Sequence, residues 1–240
     1  MRIIDIHTHI LHKIDDGSQS LKESVQLIQD SVNQGCTDIF LTPHSENVLK
    51  KEIFYTETQI VRLKKEVNRL KIPIKIYKGN EIYLDENNIE LIIKALKNEN
   101  LYSMNYSRFI LVEFSPNLQN FEEILFCIGL LLSNNWYPII AHAERLNPLI
   151  ATLENIIKLK KLKCKIQINY YSLVEETNIG IKRFARLLIG NELVDFLGSD
   201  SHNLYHRPPI IKSGIDYIEN RCTIDYRNKI LWENAEKYLL

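Results

Sequence analysis

Residues 2–9 read Arg2-Ile3-Ile4-Asp5-Ile6-His7-Thr8-His9, a short apolar run that ends in two imidazoles. Isoleucines in near-continuous succession are what a strand buried on both faces requires. On such a strand His7 and His9, two residues apart, project to the same side. The motif recurs in outline along the chain. Further β-rich runs lie at Asp38–Thr42, Ile74–Lys78, Phe109–Phe114, Pro138–Ala141, Lys165–Asn169 and Val194–Gly198. Each is followed by a longer stretch of helical periodicity. The runs repeat every ~30 residues, the length that a strand, a crossover helix and two loops occupy.

The intervening stretches carry helix signals. Ser20 and Glu23 have capping-box spacing, and Leu21, Val25, Ile28 and Val32 then share one face. Gly35 is placed to stop that helix before the second strand. Lys-rich stretches over Glu52–Leu70 and Leu153–Leu162 keep apolar residues at helical spacing, so their charge marks solvated outer faces. No Gly/Ser/Pro linker divides the 240 residues, and the expectation is a single α/β domain over residues 1–240. Seven parallel strands can remain an open sheet or close into a TIM-like barrel. No G-x-G-x-x-G or P-loop follows any strand, which removes the usual support for a nucleotide-binding open sheet.

Composition excludes several classes. Thirty Lys and Arg balance thirty Asp and Glu. There is no overall positive field to grip nucleic acid, and any anion site must be built locally. The longest apolar run, Ile124–Leu132, has nine residues, against the ~20 of a transmembrane helix. The N-terminus lacks the apolar stretch of a secretory signal, and Cys36, Cys127, Cys164 and Cys222 show no paired spacing. A cytoplasmic protein without a membrane span is expected. A cysteine phosphatase needs Arg six residues after its nucleophile. Those positions hold Thr42, Ser133, Tyr170 and Asn228, so thiol-phosphate chemistry is excluded.

The polar residues gather where the strands end. The first run gives His7 and His9, with Asp15-Asp16-Gly17 just beyond; the second gives His44, the third Glu81 and the fourth Glu113. The fifth gives His142 and the seventh Asp200 and His202; only the sixth, ending at Asn169, has no strong ligand type. Five of the chain's seven histidines are in this set. The C-terminal ends of barrel strands are where such folds carry chemistry, which favours the closed barrel. Any one of these residues alone reads as a hydrogen-bonded strand-end side chain or a helix cap. Six strand ends carrying such groups together read as a metal centre, since a buried acid without a counter-charge costs several kcal/mol.

Five imidazoles and four carboxylates, with no thiolate, form a mixed N/O set suited to Mn, Fe or Zn. His7, His9, Asp16, His44, Glu81, Glu113, His142, Asp200 and His202 are too many for one ion and fit two or three. Three divalent ions against four carboxylates would leave about two positive charges, a site for a phosphate dianion. Arg145 and Arg207, three and five residues beyond His142 and His202, could grip its oxygens with guanidinium forks. The expected reaction is phosphoester hydrolysis by metal-activated hydroxide, with His7, His9, Glu81, Asp200, Arg145 and Arg207 as the catalytic group.

In order and spacing, D-I-H-T-H, D-D-G, T-P-H, G-N-E-I-Y, L-V-E-F, A-H-A-E-R and S-D-S-H-N…R-P-P resemble the polymerase-and-histidinol-phosphatase (PHP) superfamily. Within it they are most similar to the capsule- and exopolysaccharide-associated bacterial protein-tyrosine phosphatases. The resemblance runs from the first strand to Arg207–Pro209. It implies a distorted (β/α)7 barrel and a trinuclear centre, usually with manganese. His7, His9, Glu81 and Asp200 would hold one ion, Glu81, Glu113 and His142 a second, and Asp16, His44 and His202 a third. Arg145 and Arg207 match the phosphate-binding arginines. The implied partner is the phosphotyrosine-bearing tail of a cytoplasmic tyrosine kinase that regulates polysaccharide assembly. His12, Tyr205 and His206 fall outside the ligand pattern and read as rim or packing residues.

Three rival readings differ in chemistry. A small-molecule phosphoesterase of the same superfamily would act on histidinol phosphate or a sugar phosphate and need a closed pocket. An amidohydrolase also uses H-x-H on its first strand, but the two arginines and the Glu81/Glu113 pair argue against it. A catalytically dead, partner-binding module would lose ligands, whereas this chain keeps a full set.

Overall fold

The computed structural model describes residues 2–174 and 177–240. Every strand is short and parallel to its neighbours, and all but one overlap the runs above. Strands β1 (Ile4–Asp5), β2 (Asp38–Leu41) and β3 (Lys75–Lys78) form one sheet in that order. Strands β4 (Glu81–Tyr83), β5 (Phe109–Glu113), β6 (Tyr137–Ile140), β7 (Lys165–Asn169) and β8 (Phe196–Gly198) form the second, again in chain order. The described residues thus hold eight strands rather than the seven expected. The third run continues past Gly79-Asn80 as a separate strand, because the chain bends there and changes partner. The Asn80 side chain fixes the bend, donating to the Pro43 carbonyl at 2.9 Å and accepting from the Tyr102 amide at 2.7 Å.

The two sheets are joined at both edges. Glu81 N donates to the Thr42 carbonyl at 3.3 Å, and His44 and Glu81 form a parallel bridge. At the other edge Asp200 N donates to the His7 carbonyl and His9 N to the Ser201 carbonyl, both at 2.8 Å. A parallel bridge between Thr8 and Ser201 lies beside them.

Alternation along the strands sorts the core into two layers. Ile39, Leu41, Ile110, Val112 and Ile140 face outward to the helices. Ile4, Ile6, Phe40, Leu111, Ile139 and Phe196 face inward and pack on one another with Met104. Side chains on both faces of each strand are therefore buried, which explains the near-continuous apolar runs. The C-terminal helix Asn234–Leu239 closes this inner layer with Ala235 and Leu239.

The helices follow their sequence signals. Leu21–Asn33 is capped by Ser20, whose hydroxyl accepts from Glu23 N at 3.1 Å, and the chain leaves it through Gly35 at φ 97°. The Lys-rich stretches become Ile53–Arg69 and Leu153–Lys161. Among the described residues no helix is long and apolar enough to cross a membrane.

Candidate metal centre

Every candidate ligand but Glu81 sits at the C-terminal end of its strand or in the loop beyond it, and Glu81 stands just past the end of β3. His7 and His9 follow β1, His44 follows β2, Glu81 opens β4, Glu113 closes β5, His142 follows β6, and Asp200 and His202 follow β8. Asp15 and Asp16 reach the same place because their loop folds back over His9. Gly17 lies so close to that strand that a Cβ would stand 1.8 Å from the His9 carbonyl oxygen, so only glycine fits. His142 (φ 29°) and Asp200 (φ 55°) both have left-handed backbone, a conformation costly for residues other than glycine.

The side chains converge into overlapping groups of possible ligand atoms. His9, Asp16, His44 and His202 form one, and His7, Glu81 and His142 a second. His7, His9 and Asp200 form a third, and His44, Glu81 and Glu113 a fourth; within each group the atoms lie within 4.8 Å of one another. All nine residues singled out in the sequence are present. Glu81, 1% exposed, is the hub. Its Oε1 lies 2.9 Å from His142 Nε2 and 3.3 Å from His7 Nε2, and its Oε2 lies 3.0 Å from His9 Nε2 and 3.1 Å from His44 Nδ1. Asp16 is the most exposed member, with His44 Nε2 and His202 Nε2 at 3.4 and 3.5 Å.

The outer nitrogens decide the tautomers. His9 Nδ1 faces Asp15 Oδ2 at 2.8 Å, and His202 Nδ1 faces the Asp200 carbonyl at 2.9 Å. His7 Nδ1 faces Gln167 Oε1 at 3.2 Å. That oxygen also accepts from the His142 amide at 2.8 Å, which fixes the orientation of the Gln167 side chain. All three Nδ1 atoms must donate outward, so the Nε2 lone pairs of His7, His9 and His202 point into the cluster. A set of inward lone pairs and carboxylate oxygens, backed by outer acceptors, is the donor chemistry a divalent cation needs.

Titration behaviour points the same way. Burial pushes the Glu81 carboxyl up, but His7, His142 and His44 outweigh it and hold Glu81 well below the usual carboxylate range. Burial likewise raises Asp200, and His7, Arg207, His9 and His142 overcome it. Burial alone would lower His9, yet Asp15 and Glu81 bring it up to about 9. His44 is pushed up to about 11, Asp16 and Glu81 prevailing over burial. Glu113 is raised by burial and by Glu81 beside it. The cluster therefore calls for positive charge, which bound cations would supply while the imidazoles stay neutral.

Asp200 links this cluster to the arginines. Its Oδ1 lies 3.7 and 3.6 Å from the Nε2 atoms of His7 and His9. Its Oδ2 accepts from Arg145 Nη1 at 3.0 Å, Arg207 Nη2 at 2.8 Å and Asn169 Nδ2 at 3.0 Å. Both guanidinium groups thus stand at the edge of the cluster, beside a cleft of about 330 Å³ lined by His44, Glu81, Glu113, His142, Phe114, Pro116 and Leu146.

Sequence reasoning left the sixth strand without a role and passed over Asp15. In the structure Gln167 and Asn169, both on β7, support His7 and Asp200 and are joined by a 2.8 Å hydrogen bond. The available signal was their spacing: two amides, two residues apart at a strand end, repeat the register of His7 and His9. Of the residues outside the ligand pattern, His12 is buried, whereas Tyr205 is 86% exposed and lines a second cleft with His206.

Comparison with known proteins places this chain in a family. The family model described as capsular polysaccharide synthesis, CpsB/CapC, matches residues 3–240. The tyrosine-protein phosphatase CpsB of Streptococcus agalactiae serotype V is 31% identical over 99% of this chain and 98% of its own. The tyrosine-protein phosphatase YwqE of Bacillus subtilis is 30% identical over 99% of this chain and 91% of its own. A solved structure, from work on YwqE of Bacillus subtilis and CpsB of Streptococcus pneumoniae described as unique metal-dependent tyrosine phosphatases, matches with a TM-score of 0.84. It is 29% identical, covering 99% of this chain and 94% of that one. The family match over nearly the whole chain and these relatives agree with the resemblance in the motifs: the chain belongs to the CpsB/CapC family of capsular polysaccharide synthesis.

Proposed function

We propose that this chain is a metal-dependent protein-tyrosine phosphatase of the PHP type. Its substrate would be the phosphotyrosine-bearing tail of a bacterial tyrosine kinase that governs capsular or exopolysaccharide synthesis, and its compartment the cytoplasm. The observation that carries the reading is the convergence of nine ligand-type side chains beside two arginines that share one oxygen of Asp200. The names of the relatives in the family support the same activity. We take the two sheets, hydrogen-bonded at both edges, as one distorted seven-stranded barrel in which β3 and β4 count as a single bent strand, and the chain as one domain.

His7, His9, Glu81 and Asp200 would hold one ion, with Glu81, Glu113 and His142 on a second and Asp16, His44 and His202 on a third. Manganese is the first choice, with iron or zinc as alternatives. Bound there, divalent ions supply Lewis-acid charge and lower the pKa of water towards neutrality. The protein's own residues do the rest. Arg145 and Arg207 grip the phosphoryl oxygens and orient the ester, because a guanidinium keeps its charge and offers paired donors. Gln167, Asp15 and the Asp200 carbonyl keep His7, His9 and His202 in the tautomer that presents Nε2 inward. A tyrosyl leaving group has a pKa of about 10 and departs without strong general-acid assistance.

The test is phosphate release from a phosphotyrosine peptide and from histidinol phosphate, side by side, with Mn²⁺ and with EDTA. The proposal expects Mn²⁺-dependent release and preference for the peptide. Preference for histidinol phosphate would transfer the chain to small-molecule phosphoester hydrolysis.

A further inference from the structure

The cleft beside the metal centre does not end there. Pro116, Arg145 and Leu146 also line a trough of about 480 Å³, whose far wall is Ile181 and Phe184. Arg145, Asp200 and Arg207 also line a notch of about 320 Å³ walled by Tyr171, Tyr205 and Ile210. Arg145 therefore lines all three depressions and Arg207 two of them, so the cleft has a neighbouring depression on either side of Arg145. A closed metabolite pocket has no use for such extensions.

The trough owes its shape to local structure. Arg145 ends a single turn, Ala143–Arg145, that packs against the helix Ile179–Gly190. Ile181 and Phe184, three residues apart on that helix, lie on one face of it. Asn178 caps the helix by accepting from the Gly180 amide at 2.8 Å, which holds this face in place. Among the described residues the lining is mainly apolar, with Pro116, Leu146, Pro148 and Ala151 beside Ile181 and Phe184, and Glu144, Asn147 and Asn178 as its uncharged and acidic polar members. On the notch side the charged side chains are Arg145, Asp200 and Arg207, with Tyr205 and His206 at the rim.

We infer that the trough between the Arg145 turn and the helix Ile179–Gly190 is a specificity subsite for an extended phosphotyrosyl peptide. It takes an apolar side chain on one flank of the phosphotyrosine, while the peptide leaves past Tyr205 on the other. The inference rests on the phosphatase reading and names what that site selects. The peptide is favoured over a small ester because the trough begins at Arg145 and its described lining beyond that residue is mainly apolar, which suits a flanking side chain rather than a small phosphoester.

The experiment compares kcat/KM for p-nitrophenyl phosphate with that for two phosphotyrosine peptides, one with leucines and one with aspartates flanking the phosphotyrosine. In the wild-type protein the leucine peptide is expected to be preferred by roughly tenfold or more, the worth of a well-filled apolar pocket. Phe184→Ala and Ile181→Ser should each lower the ratio of leucine-peptide to p-nitrophenyl phosphate turnover several-fold. Equal use of the two peptides by the wild type, or variants that lower both turnovers in proportion, would overturn the subsite while leaving the phosphatase intact. Failure to hydrolyse any of the three esters would overturn the phosphatase reading and the subsite with it.

Discussion

The Nε2 atoms of His7 and His9 lie 3.1 Å apart, although the other nitrogen of each ring already donates outward, to Gln167 and to Asp15. Two lone pairs facing one another at that distance repel unless positive charge lies between or beside them. The fold enforces the arrangement, since His7 and His9 share one face of the first strand's extension and are both fully buried. A site built this way is unfavourable alone and favourable around a cation.

Supporting residues should tune metal affinity without joining the reaction. Gln167→Ala and Asp15→Ala each free the outer nitrogen of a candidate ligand, and such changes weaken metal binding by roughly 10–100-fold. Activity titrated with Mn²⁺ should show half-maximal concentrations raised by that factor, with kcat largely recovered at saturation. Unchanged titration curves would remove these residues from the account.

The arginines should act on substrate instead. Arg207→Ala and Arg145→Ala remove charge-assisted hydrogen bonds of about 1.5–3 kcal/mol. The expected loss is roughly 10–100-fold in kcat/KM, with KM raised and bound metal unchanged. Replacement by lysine should restore only part, because an ammonium cannot reproduce the fork. Loss of metal together with activity would instead make these arginines structural partners of Asp200.

Gly198 tests how tightly the strands are packed beneath the centre. A Cβ there would stand 2.5 Å from His7 Cβ and 3.0 Å from Gln167 Nε2. Gly198→Ala should destabilise the protein by about 1–3 kcal/mol, the range of overpacked cores, and displace His7. A lower urea midpoint combined with weaker Mn²⁺ binding is the expected pair of results.

At the opposite end of the strands Arg2 ties three segments together. Its Nε and Nη2 donate to the two oxygens of Asp38 at 3.0 and 2.7 Å, and its Nη1 to Glu236 at 2.7 Å. Burial raises the Asp38 carboxyl, but the Arg2 fork and the Thr37 hydroxyl outweigh it and hold Asp38 below its ordinary 3.8. A carboxyl depressed by folding stabilises the protein above its unfolded value and loses that contribution as pH falls through the folded one. Asp38→Asn should therefore lower stability by about 1.5–3 kcal/mol at pH 7. The difference from wild type should shrink below about pH 4, as followed by urea unfolding across that range.

Much of this architecture is readable from the chain. The strand runs are apolar because both faces are buried, and the ligand types stand at strand ends because the fold brings those ends together. The split of the third run was not readable. Gly79-Asn80 looks like a strand terminus, and only the Asn80 hydrogen bonds to Pro43 and Tyr102 show the chain bending towards a new partner. The supporting role of Gln167 and Asn169 is hidden in the sequence for a different reason. Amides are weak ligands, and their task of fixing a tautomer or a carboxylate exists only once strands distant in sequence have met. Asp15 and Asp16 are adjacent and chemically alike. Their separate surroundings, one against His9 Nδ1 and the other between His44 and His202, depend on how the loop crosses Gly17.

The most direct test of the central claim is elemental analysis of the protein after reconstitution with Mn²⁺ and removal of free metal. Nine convergent ligands predict about two to three tightly bound ions per chain, lost together with phosphotyrosine hydrolysis on EDTA treatment. Fewer than one ion per chain, or hydrolysis that persists undiminished in EDTA, would contradict it.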